Sequence, residues 1–114
     1  MIPTTELATV TRLLGSARQP LYIFDDDQDG LCAYLLLWRQ WKRGRGISAK
    51  GQLTEDIIPK ILREQKDLVV FLDKPTVKQE ILDAISVPSV HIDHHQPFHG
   101  DHPHYFYLNP RVYD

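Results

Sequence analysis

The chain has 114 residues, 42% of them apolar, which is enough for one domain with a small hydrophobic core. A formal charge of −2 excludes a global electrostatic pull on nucleic acid or anionic membranes, so contact with a polyanion has to come from a local patch or from bound cations. The single Cys32 excludes an internal disulfide. There is neither a charged-then-apolar leader nor an apolar run near ~20 residues, so the expectation is a cytoplasmic protein without a membrane partner.

Taken in chain order, apolar segments of two kinds alternate. "LATVTRLLGSA" from Leu7 has helical spacing with Gly15 near its end, and "QPLYIF" reads as a strand entered through Pro20. "GLCAYLLLWRQWKR", 30–43, has a broad apolar face and a basic end, as suits a helix whose C-terminal dipole favours cations. A weakly signalled strand follows in "GISAKGQL". Residues 54–65 read as a helix with Thr54 as N-cap, and "DLVVFLD" is the clearest buried strand. "TVKQEILDAI" predicts another helix, "VPSVHID" a strand, and "YFYLN" a last strand after a His- and Pro-rich loop. The order βαβαβαβ implies an α/β fold, a doubly wound, Rossmann-like parallel sheet with helices on both faces.

That layout gives the polar clusters one address. In such sheets ligands collect in the crevice at the carboxyl ends of the strands. Asp25, Asp27 and Asp29 follow "LYIF", Asp73 ends "LVVFLD", and Asp93, His94 and His95 follow "SVHI". Carboxylates so crowded repel one another unless a cation is bound between them, and Asp oxygens with an imidazole nitrogen suit a divalent metal. An EF-hand loop starting at Asp25 would need a bidentate Glu at its twelfth position, where the chain has Leu36. Asp73 taken alone has the reading of a helix cap. His99, His102 and His104 read as solvated loop residues, and Trp38 and Trp41 as core or interface residues. Arg39, Lys42, Arg43, Arg45 and Lys50 form the one local basic cluster, a solvated helix end or a modest phosphate-contacting patch.

"DDDQDG", "FLDKP" and "IDHHQP", in that order, resemble motifs I, II and III of the DHH phosphoesterases, and most of all their RecJ-like branch. The resemblance runs from about Leu21 to Asn109. It implies Mn²⁺ or Mg²⁺, two ions, and hydrolysis of phosphodiester bonds in single-stranded nucleic acid or short oligonucleotides. By the same resemblance Asp27 and Asp29 are metal ligands, with Asp25 where many relatives carry His. Asp73 bridges two metals and His94 completes one coordination sphere. His95 contacts the metal or the scissile phosphate, and Asp93 orients the His pair. Strand alternation is expected to send His94 and His95 to opposite sides. The family pattern continues to a further metal-ligating Asp and a second, substrate-gripping domain. Neither is in this sequence, so a partial domain, 1–114, or a partner subunit that supplies the missing pieces is expected. Two alternatives are a DHH enzyme acting on a cyclic dinucleotide, nanoRNA or pyrophosphate, and a degenerate domain serving as a protein-interaction scaffold. A haloacid-dehalogenase-like phosphatase also opens on a strand and DxD, but its later Lys and acidic pair find no match.

Overall fold

The computed structural model describes residues 2–97 and 100–113. Apolar residues alternate along the central strands, so each strand feeds two cores, and the chain builds a sheet with helices on both sides. The elements are α1 (Thr4–Ser16), β1 (Pro20–Asp25), α2 (Gln28–Trp41), β2 (Arg45–Ala49), α3 (Ile57–Arg63), β3 (Leu68–Leu72), α4 (Gln79–Ala84), β4 (Ser89–Ile92) and β5 (Tyr105–Leu108), with a closing 3-10 turn at Pro110–Val112. All neighbouring strands are parallel, in the order β2-β1-β3-β4-β5. Leu21, Ile23, Val69 and Phe71 point to the side where α3 and α4 contribute Ile57, Ile61, Ile81 and Leu82. Tyr22, Phe24, Val70 and Leu72 point to the other, against Val10 and Leu14 of α1 and the α2 residues Tyr34 and Leu37. The expected α/β architecture is the one observed.

Several boundaries differ from expectation for local reasons. Residues 54–56 form a turn rather than the first turn of a helix. Thr54 takes part through its carbonyl, which accepts from the Ile57 N–H, so it is not the N-cap. The helix expected over "TVKQEILDAI" starts only at Gln79, because Val77 is spent filling the α3/α4 core and Lys78 is extended. Helix α2 ends at a left-handed Lys42, and Gly44, also at positive φ, lets the chain turn into β2 against the carbonyl of Pro20. Among the described residues no helix is long and apolar enough to cross a membrane.

The topology opens the crevice that the site needs. From β1 the chain leaves through α2 on one face, whereas from β2 it returns through α3 on the other face to reach β3. The loops after β1 and β3 therefore diverge, and the gap between them is the switch point of the sheet.

Candidate metal centre

Three strand ends meet at that gap. Asp25 is the last residue of β1, and its Oδ1 accepts the N–H of Asp26. Asp27 caps α2 by accepting the Gly30 N–H at 2.8 Å, which fixes its carboxylate at the helix entrance. Gly30 is required here for space. A Cβ on it would lie 2.1 Å from the carbonyl oxygen of Asp25, so only glycine lets the first turn of α2 sit on the end of β1.

Asp73 follows β3 in the left-handed region, with φ 60°, a conformation that Asp and Asn tolerate better than other side-chain-bearing residues. It caps no helix, since α4 begins six residues later. Its buried carboxylate accepts from Nε2 of His94 at 2.9 Å. Burial pushes the Asp73 carboxyl above its ordinary value; the His94 hydrogen bond opposes the rise and the charge of Asp27 adds to it.

After β4, Asp93 turns its fully buried carboxylate to the next residue but one. Its Oδ1 is 2.6 Å from Nδ1 of His95, and its Oδ2 accepts the His95 N–H. The bond makes Nδ1 the protonated nitrogen of neutral His95 and leaves Nε2 as its electron-pair donor, the pattern of a carboxylate-supported metal-binding imidazole. Asn109, buried at the end of β5, donates to the His95 carbonyl at 2.9 Å and to the Tyr107 hydroxyl at 2.8 Å, so the last strand holds this loop.

One sequence expectation fails here. His94 and His95 do not face opposite sides: their rings stack, with centroids 4.6 Å apart. Strand alternation stops applying because β4 ends at Ile92, two residues before the pair. Both imidazoles therefore turn toward Asp73, with Nδ1 of His95 4.0 Å from its Oδ1.

Among the described residues two sets of donor atoms result, each with its members within 4.8 Å of one another. One joins Asp73, Asp93, His94 and His95; the other joins Asp25, Asp27 and Asp73. Asp73 belongs to both. The oxygen and nitrogen donors, their spacing and the shared carboxylate suit hard or borderline divalent ions such as Mg²⁺ or Mn²⁺. Asp29 belongs to neither set. It stands in the first turn of α2 and lines a cleft of about 530 Å³ with Asp73, Asp93 and His94 on one side and Cys32, Leu36, Ile92 and Leu108 among its apolar walls.

Other expected residues lie away from the centre. Arg43 donates to the carbonyl of Gly15, and Arg45 pairs with Glu64, so both serve the opposite end of the sheet. Trp41 packs into the α1/α2 core while Trp38 remains 38% exposed. His99 lies outside the described residues, and His102 and His104 sit in the loop before β5.

Sequence reasoning missed Lys74. Its side chain is fully buried; Nζ donates to the carbonyls of Ala49 and of Gly51, the latter at 2.6 Å, and stands 3.5 Å from Asp25 Oδ1. It also missed the support beneath. His91, fully buried in β4, has Nε2 2.6 Å from the Lys74 carbonyl and Nδ1 2.6 Å from the Tyr105 hydroxyl. A carbonyl only accepts, so Nε2 carries the proton and Tyr105 donates to Nδ1. Burial first, then the neighbouring Tyr107 and Asp93, push the Tyr105 hydroxyl up, which keeps it a donor. No sequence signal marks it, because the groups that bury Lys74, at Ala49 and Gly51, are more than twenty residues away in the chain.

No protein-family model matches the chain, and comparison with curated proteins gives no sequence match. Among solved structures, the chain is similar to RecJ from Thermus thermophilus, solved in complex with Mn²⁺, with a TM-score of 0.76 and 21% identity. The match covers 97% of this chain and 18% of that protein, so the chain spans under a fifth of its length. The fold of this chain is thus that of one part of RecJ.

Proposed function

We propose that this chain is a metal-dependent phosphoesterase domain of RecJ-like type, which hydrolyses phosphodiester bonds in single-stranded nucleic acid or short oligonucleotides. The observation that carries the reading is the sharing of Asp73 between two donor sets at the switch point of the sheet. Asp25, Asp27 and Asp73 would hold one Mn²⁺ or Mg²⁺ ion, and Asp73, His94 and His95 the other, with Asp93 behind them holding His95. Bound there, the ions would lower the pKa of water and stabilise negative charge on the phosphate and leaving oxygens.

The chain's own residues supply the rest. Asp73, held by its left-handed backbone and by His94, presents an acceptor to both sets. Asp93 orients His95, so that the imidazole keeps its Nε2 lone pair turned outward for an ion or, when protonated, offers a proton to a phosphate oxygen. The adjoining cleft, apolar on one wall and acidic on the other, has room for about one nucleoside of the substrate. A dinucleotide, which carries the same phosphodiester bond, is the second reading of the same chemistry.

The test is hydrolysis with Mn²⁺ of single-stranded DNA, single-stranded RNA and a dinucleotide. Cleavage of one or more, lost in Asp73→Asn, is expected. Because the family resemblance places the main substrate grip in a further domain, turnover by these residues alone is expected below ~1 per second. Absence of Mn²⁺ binding would overturn the reading, and Mn²⁺ binding without any hydrolysis would favour the scaffold alternative.

A further inference from the structure

We infer that Lys74 is a built-in cation that offsets the extra carboxylate of the Asp25, Asp27 and Asp73 set, so that the histidine-containing set takes up the first ion. The inference rests on the proposed two-ion reading and concerns a residue that reading does not use.

Formal charge alone points the other way. The Asp25, Asp27 and Asp73 set carries three carboxylates, whereas the Asp73, Asp93, His94 and His95 set carries two together with two imidazoles. A divalent ion free to choose on charge would enter the first. Lys74 removes that advantage: counted with it, the first set carries a net −2, the same as the second, and the choice falls to the imidazole nitrogens, which a borderline ion such as Mn²⁺ takes alongside oxygen. Its ammonium stands 3.5 Å from Asp25 Oδ1, inside the first set, and has no contact with His94 or His95 among the described residues. An ammonium at that distance draws the Asp25 oxygen to itself and repels an incoming cation, and burial limits the screening of both effects.

Lys74 is also unable to swing away. Its carbonyl is fixed by His91, its Nζ is fixed by two carbonyls at the end of β2, and none of its surface is exposed. A lysine serving only to tie loops together would need the two carbonyls but no carboxylate. Placement against Asp25 gives it an effect on the site, and Lys74 is therefore a positioning residue for Asp25.

The test is uptake of Mn²⁺ alone, followed by calorimetry and by pulsed electron paramagnetic resonance, with Lys74→Gln and Lys74→Arg beside the wild type. Gln keeps an N–H donor and loses the charge; Arg keeps the charge. In the wild type, two affinity classes differing by about tenfold or more are expected, and the first equivalent should show ¹⁴N coupling from imidazole. In Lys74→Gln the gap should shrink by about tenfold, with the ¹⁴N signal at one equivalent reduced because ions now distribute to the carboxylate set. Lys74→Arg should restore the wild-type pattern.

Equal classes in the wild type, or a first equivalent without ¹⁴N coupling, would overturn the inference even if neither variant folds. So would a folded Lys74→Gln variant with an unchanged gap and signal. Those outcomes leave the two-ion reading standing, whereas no Mn²⁺ uptake by any of the proteins refutes the reading and the inference together.

Discussion

Replacing Gly30 by Ala tests whether the metal centre depends on the close seating of α2 on β1. The new Cβ would stand 2.1 Å from the Asp25 carbonyl oxygen and 2.7 Å from the Asp25 carbonyl carbon and amide nitrogen. All three are backbone atoms in the central region of the sheet, so no side chain can rotate to make room. Restoring an ordinary contact of about 3 Å or more requires the helix entrance and the end of β1 to part by about 1 Å. Helix propensity favours the substitution by ~1 kcal/mol, whereas forcing a carbon into a packed site costs ~1–3 kcal/mol or more, and the rigidity of these atoms places this case at the upper end. A net loss of ~1–2 kcal/mol lowers the melting temperature by roughly 5–15 °C in a domain of about this size. The effect on metal is larger in proportion, because Asp25 and Asp27 flank the displaced junction and ligand positions tolerate only about 0.2 Å. Thermal melts and Mn²⁺ calorimetry on Gly30→Ala should therefore show lower stability and at least ~10-fold weaker binding. A variant that melts higher than the wild type and binds Mn²⁺ equally well would refute the close-seating argument.

Other perturbations separate the parts of the site. Asp73→Asn keeps the left-handed backbone and an acceptor for His94 while removing a buried charge, so the metal-free variant should melt at or above the wild-type temperature and lose its Mn²⁺-induced rise; a lower metal-free melt would count against the electrostatic account. Because the folded-state pKa of Asp73 is raised, its protonated form favours folding: the contribution of Asp73 to metal-free stability is greatest below the ordinary carboxylate range and is lost as pH rises through the raised value, and this component should vanish in Asp73→Asn melts recorded across pH. For the wild type, Mn²⁺ at a hundred times its dissociation constant should add ~2.7 kcal/mol, read as a higher melting temperature, and no rise at all would contradict metal binding by the native state. Asn109→Ala removes donors to the His95 carbonyl and Tyr107 and should cost ~1–3 kcal/mol together with Mn²⁺ affinity, whereas Asp67→Ala, which breaks two bonds to the Arg18 and Gln19 amides at the far end of the sheet, should lower stability by ~1–2 kcal/mol with Mn²⁺ affinity unchanged. Calorimetry giving the same affinity loss for both would erase the distinction between the two ends.

The parallel sheet and its crevice were legible because runs such as "LYIF" and "LVVFL" are short, apolar throughout and followed at once by acids. The same adjacency placed Asp25, Asp27, Asp73 and Asp93 correctly on one rim. What was not legible depends on contacts between residues far apart in sequence. Lys74 reads as a solvated charge until Ala49 and Gly51 are brought to its ammonium, and His91 reads as a strand residue until Tyr105 and the Lys74 carbonyl close on its ring. The His94 and His95 pair was misread for a different reason: period-two alternation holds only while the strand lasts, and β4 stops at Ile92.

The bond from Asn109 to the carbonyl of His95 has a consequence for synthesis. Every donor of both sets lies between residues 25 and 95, yet the loop carrying the second set is anchored by a strand that begins at Tyr105. A nascent chain whose ribosomal exit has passed only His95 owns all the ligands but not their arrangement. Under the proposed two-ion reading, ion capture would wait until Asn109 has emerged and β5 has added to the sheet edge, and acquisition of metal would be a late checkpoint on the folding of the sheet.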